Sequence, residues 1–264
     1  DTVGIDCMAM NVNDTICVGA EPIAFVDYIA IDEPNESITD QIGIGLNRAA
    51  EMANVDLVGG EVAVLPEMVK GVDLSGTALG MLRKEEMVTG LEIQEGDAII
   101  GLRSSGVHSN GMTLARKALA SADIGLEDTP DGLDRSVGLE LLTPTEIYVR
   151  DVLEVVRSVK VSGMVDVTGG GLKNFVRLRK GLRYEITDPL EPQPIFKVIQ
   201  EAGKVSDLEM YKTFNMGMGF GIVLPPEGVE QALSILKGKG ELVGRAVKGS
   251  GCGIPSLGVH YDTY

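Results

Sequence analysis

The stretch DTVGIDCMAMNVNDTICVGAEPIAFVDYIAI, residues 1–31, decides how the chain begins to fold. Asp6, Met10 and Asp14 are each separated by four residues, so a helix places all three side chains on one face. The run from Gly19 to Pro22 breaks this helix. Residues 23–31 are largely apolar, which predicts a buried strand. We therefore expect the chain to open with a helix followed directly by a buried strand.

The remaining residues alternate between helical and strand-like segments, which predicts an α/β or α+β fold. Helices are predicted at 38–54, 112–120, 138–158, 169–178, 192–202 and 226–238. Strands are predicted at 56–61, 74–82, 98–102, 164–167, 182–187, 217–224 and 241–247. A polar stretch at 84–96 predicts a boundary between an N-terminal domain, residues 1–94, and a mixed α/β C-terminal domain, residues 95–264. The glycine-rich tail, 248–264, is expected to be extended or partly disordered.

Composition narrows the classes of function. Asp and Glu outnumber Lys and Arg by 39 to 23 and give a net charge of −16, which argues against nucleic-acid binding. A small phosphorylated substrate is compatible with this charge, because backbone amides and a cation can neutralise phosphate locally. The sequence has no uncharged apolar run long enough to predict a membrane-spanning helix. Its first residues do not resemble a secretory signal. Three cysteines without CxxC spacing fit a reducing cytoplasm.

Two acidic features are candidates for a metal site. Asp6 and Asp14 would give Mg²⁺ the one or two carboxylates that it prefers beside phosphate oxygens and water, although solvent-exposed helix acids explain them equally simply. The strand at 56–61 is expected to run into a turn at Gly59 and Gly60, where a ligand could approach the backbone closely. Glu61 at that turn could be a further metal ligand, or the segment could be an ordinary strand-to-loop connection.

Two glycine-rich loops are candidates for binding phosphate. The loop at 104–111, which includes Ser105, Gly106 and Asn110, precedes a predicted helix and offers backbone amides. His108 in this loop could bind phosphate or act as an acid or base, or it could simply belong to a helix cap. The second loop follows a predicted strand and contains Thr168, Gly169 and Gly170. It lacks the lysine of a Walker A motif. A flexible connection is the alternative reading.

Two other segments carry weaker signals. The glycine–methionine alternation at 210–220 is typical of a closely packed strand, and core packing explains its methionines better than ligand binding does. A Ser-His-Asp hydrolase is disfavoured, because the sequence has no G-x-S-x-G elbow and its only other histidine, His260, lies in the tail.

The order and spacing of these motifs resemble the aminoimidazole ribonucleotide synthetase family. The matching stretches are DTVGID, NDTICVGAEP, LVGGE, SSGVHSNG, LTPTEIYV, TGGG and EMYKTFNMGMGF, spread over residues 1 to about 247. The pattern from Asp14 to Pro22 also resembles a wider ATP-binding superfamily that includes thiamine-monophosphate kinase, selenophosphate synthetase and a hydrogenase maturation factor.

This resemblance implies an ATP- and Mg²⁺-dependent cyclo-ligase. Such enzymes convert formylglycinamidine ribonucleotide to aminoimidazole ribonucleotide, ADP and phosphate, and they form homodimers through their N-terminal sheets. By motif, Asp14 and Asp6 would serve Mg²⁺-ATP, with Glu61 as a further acid of the site. His108 and Asn110 would line the substrate or phosphate region. Thr168, Gly169 and Gly170 would line the phosphate-facing loop of the second domain.

Three departures keep other readings open. The family's N-terminal G-T-D-G-V-G-T-K segment has no counterpart here, which truncation, an omitted segment or a divergent relative would each explain. A second glutamate of the family's G-G-E-T-A-E-M-P motif is replaced by Val64, and Asp166 stands where a histidine is common. The alternatives are another ATP-using phosphotransferase, similar to selenophosphate synthetase or the hydrogenase maturation factor, and a non-catalytic dimeric relative.

Overall fold

The computed structural model describes residues 1–263 and groups them into two compact units, each built around a β-sheet. The first unit comprises Asp1–Met87 together with Ile147–Leu153, and the second comprises the remaining described residues. The mixed α/β class that the sequence predicts is confirmed. The return of residues 147–153 to the first unit is a long-range excursion that no local sequence pattern indicated.

The first unit contains a three-stranded sheet with two helices. Its elements are α1 (Thr2–Ile16), β1 (Glu21–Ile31), α2 (Glu36–Ala53), β2 (Asp56–Val64) and β3 (Val72–Met81). The strand order is β2-β1-β3, with β1 parallel to β2 and antiparallel to β3. Asn35 caps α2 by accepting a hydrogen bond from the Ile38 amide, and Asn54 ends it in the left-handed conformation. The opening helix and buried strand predicted from residues 1–31 are confirmed.

Two glycines of β3 allow the Phe25 side chain and α1 to pack closely on one face of this sheet. A Cβ added at Gly76 would lie 2.1 Å from Cζ of Phe25, whose side chain is fully buried. A Cβ added at Gly80 would lie 2.3 Å from Cγ2 of Thr15 on α1. Both glycines are therefore required by close packing.

The opposite face of the sheet exposes large apolar side chains. Val26 and Tyr28 of β1 alternate with the buried Phe25 and Ile29, so they point away from α1. Leu79 and Met81 of β3 are also exposed, and they share this face because they alternate with Gly80, which faces Thr15 of α1. Exposed apolar residues also occur elsewhere in the three strands, at Ile23, Leu57, Val58, Val62, Val64 and Val72. An exposed apolar surface of this kind is unusual for a monomer and is typical of an interface.

The second unit is built on a seven-stranded sheet with strand order β10-β9-β6-β8-β4-β7-β5. Its strands are β4 (Ala98–Arg103), β5 (Gly163–Asp166), β6 (Leu182–Ile186), β7 (Met218–Leu224), β8 (Gly240–Lys248), β9 (Gly251–Ile254) and β10 (Val259–Tyr261). Its helices are α3 (Met112–Ser121), α4 (Val137–Leu141), α6 (Pro194–Gly203), α7 (Asp207–Thr213) and α8 (Val229–Leu236), while α5 (Val149–Ser158) begins in the first unit. Short 3₁₀ turns occur at Lys84–Glu86, Gly171–Arg177, Pro226–Gly228 and Pro255–Leu257.

The tail is extended, as one of the two expectations for 248–264 has it, and the expected partial disorder is wrong for the described residues, which form β9, β10 and a 3₁₀ turn. β9 pairs in parallel with β6, and β10 pairs with β9. Val259 and Tyr261 alternate with the exposed His260 and are buried. A Cβ added at Gly251 would meet the carbonyl oxygen of Tyr261 at 2.1 Å, so the glycines serve close strand packing.

Three other local predictions need correction. The helix predicted at 138–158 is interrupted between α4 and α5, where Pro144 disfavours helix. The strand predicted at 217–224 is confirmed as β7, but the strand-like interpretation of the whole segment 210–220 is wrong, because residues 207–213 form α7. Ser206 accepts a hydrogen bond from the Glu209 amide, and this Ser-x-x-Glu pattern is a helix-start signal. The helix predicted at 169–178 is a 3₁₀ helix.

No helix among residues 1–263 combines the length and apolar character that crossing a membrane requires.

Candidate functional site

The first group of candidate residues is the acidic face of α1. Asp6 is half-buried, whereas Met10 and Asp14 are exposed, as the helical spacing predicts. Eight residues of helix place the Cα atoms of Asp6 and Asp14 about 12 Å apart. Next to Asp14, Asn13 is buried and its Oδ1 accepts a hydrogen bond from the Tyr148 amide at 3.1 Å, within the first unit. That contact holds the C-terminal part of α1 in place beside the exposed Asp14.

The glycine turn expected at residues 59–60 is wrong, because β2 runs without interruption through Val64. Gly60 pairs with Asp27 of β1, and a Cβ at Gly60 would lie 2.5 Å from Oδ1 of Asp27. The Asp27 carboxylate lies over the Gly60 backbone and would have to move if residue 60 carried a side chain. Glu61 pairs with Tyr28 and therefore projects from the sheet face opposite to Asp27 and Gly60.

Glu61 is consequently separated from the α1 acids by the sheet. No group of three or more His, Cys, Asp or Glu side chains suited to a metal ion occurs within residues 1–263. The structure thus does not gather Asp6, Asp14 and Glu61 into one cluster. Asp6 and Asp14 still offer hard oxygen donors of the kind that suits Mg²⁺, which commonly takes one or two carboxylates with phosphate oxygens and water.

Asp27 is a candidate site residue of the first unit that the sequence analysis did not single out. Desolvation by burial raises the pKa of this carboxyl above its ordinary value. Burial also raises the pKa of the Cys7 thiol to about 11, with further contributions from the charges of Asp27 and Asp6. The carboxylates of Asp6 and Asp27 therefore lie near the Cys7 thiol, on the face of the sheet that packs against α1. An aspartate within the apolar run AFVDYIAI was the available signal.

In the second unit, the loop at 104–111 is built around His108. The side chain is buried, and the backbone has φ 60°, in the left-handed region. Nε2 accepts a hydrogen bond from the Ser105 amide at 3.1 Å and another from the Glu146 amide at 3.4 Å. Desolvation lowers the pKa of His108 to about 4, so the imidazole is neutral near pH 7. Because Nε2 accepts, the proton belongs on Nδ1.

The segment at 143–146 forms one wall of this loop. Ser105 Oγ donates to the carbonyl oxygen of Pro144, and the hydroxyls of Ser109 and Thr145 lie 3.3 Å apart. A Cβ added at the buried Gly106 would lie 3.3 Å from Cβ of Thr143. The stretch LTPTE therefore supports the loop SSGVHSNG, although the two are distant in sequence.

The second glycine-rich loop lies next to the first. A Cβ added at Gly169 would be 3.0 Å from Oδ1 of Asn110, which places these two candidate residues side by side. Thr168 Oγ1 accepts a hydrogen bond from Nδ2 of the buried Asn174 at 3.2 Å. Within residues 1–263, the amides of Gly169 and Gly170 have no recorded acceptor in the chain. Amides of this kind can bind an anion.

The segment MYKTFN connects the two loops. Gly171 has φ 51°, and a Cβ there would lie 2.2 Å from the carbonyl oxygen of Tyr211. A Cβ at Gly111 would lie 2.3 Å from Cε1 of Phe214. The structure therefore brings together Ser105, Gly106, His108, Asn110, Thr168, Gly169 and Gly170 in one region of the second unit.

Solved structures define the general class of this fold. Hydrogenase Maturation Protein HypE in complex with ATP superposes with a TM-score of 0.73 at 17% identity, covering 98% of this chain and 78% of that one. Thiamine Monophosphate Kinase from Aquifex aeolicus gives a TM-score of 0.69 at 20% identity, covering 99% of this chain and 82% of that one. At these identities the likeness concerns the fold.

Sequence comparison then identifies the family. Residues 1–82 match the N-terminal domain, and residues 94–254 the C-terminal domain, of AIR synthase related protein. The chain therefore belongs to the AIR synthase family, as its motifs indicated.

Proteins named phosphoribosylformylglycinamidine cyclo-ligase are 46% identical in Thermoplasma acidophilum and 51% identical in Methanocaldococcus jannaschii. The first alignment covers 100% of this chain and 78% of the relative, and the second covers 89% and 68%.

Proposed function

We propose that this chain is a phosphoribosylformylglycinamidine cyclo-ligase of purine biosynthesis, acting on formylglycinamidine ribonucleotide with ATP. The observation that carries the proposal is the contact between the loops SSGVHSNG and TGGG, seen in a chain that is 46–51% identical to relatives of that name. Both loops present polar side chains and backbone amides, which suit phosphorylated ligands.

The reaction needs positioning and charge neutralisation more than it needs a strong acid or base. The γ-phosphoryl group of ATP passes to the formyl oxygen of the substrate and leaves ADP. A nitrogen of the amidine attacks the activated carbon, the carbon–oxygen bond breaks and phosphate departs with that oxygen. Two protons are lost as the aminoimidazole ring forms, one taken up by the departing phosphate and one released to solvent. Charge spread over phosphate oxygens is stabilised by fixed donors and cations.

The carboxylates of α1 are assigned to magnesium and nucleotide. Mg²⁺ would neutralise phosphate charge when bound, and Asp14 and Asp6 would each offer a hard oxygen donor to such an ion. Their separation of about 12 Å means that one ion cannot bind both directly, so Asp14 and Asp6 would meet the nucleotide at different points. Gly59, Gly60 and Glu61 lie within β2, and Glu61 projects from the other face of the sheet, so we do not assign Glu61 to the same ion.

The two loops of the second unit are assigned to the phosphorylated substrates. Ser105, Gly106, Asn110, Thr168, Gly169 and Gly170 would contact phosphate or ribose groups. His108 would act through the loop, because its Nε2 already accepts two amide hydrogen bonds and its ring is neutral. A direct role in proton transfer would have to use Nδ1.

A homodimer in the cytoplasm is part of the proposal. The exposed apolar face of the sheet β2-β1-β3 suits burial against a second copy of the chain. Leu79→Asp places a charge on this face and should shift the sedimentation coefficient towards the monomer. An unchanged dimer would assign the interface elsewhere. The three free thiols fit a reducing compartment.

The test of the proposed activity is ADP release from Mg²⁺-ATP with and without formylglycinamidine ribonucleotide. Release that depends on this substrate, together with the appearance of aminoimidazole ribonucleotide, would support the ligase. Release with a different acceptor would favour a phosphotransferase. Absence of both turnover and ATP binding would favour a non-catalytic relative.

A further inference from the structure

Asn215 follows α7 in the MYKTFN segment and contacts the loop at 104–111 from the inside. Its side chain is 5% exposed. Nδ2 donates to the carbonyl oxygen of Gly106 at 2.9 Å and to that of Val107 at 3.3 Å. Oδ1 accepts a hydrogen bond from the Gly217 amide at 3.0 Å. One carboxamide thus links two consecutive carbonyls of the loop to the start of β7.

These bonds fix the direction of two peptide groups. In a trans peptide the N–H points opposite to the preceding C=O, and no cis peptide occurs within the described residues. Because the carbonyls of Gly106 and Val107 both point to Asn215, the amides of Val107 and His108 both point away from it. Neither amide has a recorded acceptor in the chain within residues 1–263.

The local backbone is suited to binding an anion with those two amides. His108 has φ 60°, and successive N–H groups that converge at a left-handed residue form an anion-binding concavity. Other contacts hold the flanks of the loop without orienting these peptides. Ser104 Oγ donates to Oε1 of Gln193 at 3.2 Å, and His108 Nε2 accepts from Ser105. Asn215 is the side chain whose loss would free both peptides to turn.

We propose that Asn215 is a positioning residue that orients the Val107 and His108 amides towards a phosphoryl group of a substrate. The inference rests on the proposed function, since the ligand is taken to be a phosphorylated substrate of that reaction. The phosphoryl group belongs either to ATP or to the phosphoribosyl substrate. Both sources share the same chemistry, and the experiment separates them.

Binding of Mg²⁺-ATP and of formylglycinamidine ribonucleotide is measured separately by calorimetry, for wild type, Asn215→Ala and Tyr184→Phe. Tyr184→Phe is the control. It removes a hydroxyl that donates to the backbone carbonyl of Arg179 at 3.1 Å, and both residues are distant in sequence from the loop at 104–111. We expect Asn215→Ala to weaken one of the two ligands by roughly tenfold to a hundredfold, as misplaced binding groups do. Tyr184→Phe should change neither affinity.

Weakened ATP binding assigns the amides to the nucleotide, and weakened ribonucleotide binding assigns them to the other substrate. Unchanged affinity for both, or an equal loss in Tyr184→Phe, overturns the proposal. If Asn215→Ala does not fold, Asn215→Ser, which keeps a polar side chain too short to span both carbonyls, is measured instead against the same criteria. A wild type that binds both ligands without turnover would refute the proposed reaction, while leaving the comparison of affinities decisive for Asn215.

Discussion

Replacement of Gly171 by alanine tests whether the second loop depends on close contact with α7. Two costs can be worked out from the structure. The residue has φ 51°, and a non-glycine residue in that region costs about 1–2 kcal/mol. The added Cβ would lie 2.2 Å from Tyr211 O and 2.8 Å from Phe214 O, and overpacking against such atoms costs about 1–3 kcal/mol.

Gly181→Ala provides the matched control. Gly181 also has positive φ, 83°, but an added Cβ there would meet no atom within 4 Å. Gly181→Ala therefore has only the backbone cost. This cost is about 1 kcal/mol, because alanine also lowers the conformational entropy of the unfolded chain, which offsets part of it. We therefore expect Gly171→Ala to lower the free energy of unfolding by about 3 kcal/mol and Gly181→Ala by about 1 kcal/mol.

Urea unfolding followed by circular dichroism measures this difference, because the chain has no tryptophan for fluorescence. Substrate-dependent ADP release per folded molecule, measured for the same variants, shows whether the loop is also displaced. A loss of stability for Gly171→Ala within experimental error of that for Gly181→Ala would refute the argument from close contact.

Three further predictions concern single side chains. The pKa of His108 is about 4 in the folded state against an ordinary 6.5, so between these pH values only the unfolded state takes up the proton. As pH falls from 6.5 to 4, the free energy of unfolding of the wild type should therefore drop by up to about 3 kcal/mol relative to that of His108→Gln. A difference between the two proteins that stays constant with pH in urea unfolding would contradict this. Asp14→Asn should abolish Mg²⁺-dependent ATP binding in calorimetry while Asp40→Asn, the same charge change on α2, retains it; equal affinities would exclude Asp14 from the site. Arg150→Ala should lower the free energy of unfolding by about 1–3 kcal/mol, because its guanidinium donates to the carbonyls of Glu51 and Met52 at the end of α2, and an unchanged urea midpoint would refute that.

The sequence predicted most of the regular elements because their signals are local. The i,i+4 acids of α1 and the apolar run of β1 required no knowledge of distant residues. The strands of the tail were not predicted because Val259 and Tyr261 are buried in a core formed by residues distant in sequence, which is a non-local cause. The start of α7 could have been found from Ser206 and Glu209.

The candidate loops were also visible as glycine-rich motifs, but their arrangement was not. Sequence could not show that Nε2 of His108 accepts two amide hydrogen bonds, which changes the chemistry open to that ring. It also gave no sign that Glu61 and Asp27 project from opposite faces of the sheet, since that depends on the register of β2 against β1. Side-chain positions that depend on three-dimensional packing could therefore not be predicted from the sequence.

The excursion of residues 147–153 into the first unit limits how this protein can be taken apart. A fragment ending at Met87 would lose the Tyr148 amide that binds Asn13 and the Arg150 guanidinium that covers the end of α2. The two halves are therefore not interchangeable modules, and recombination between relatives at a single crossover near residue 90 would separate α1 from its own support. Chimeras should instead exchange residues 147–153 together with the first unit.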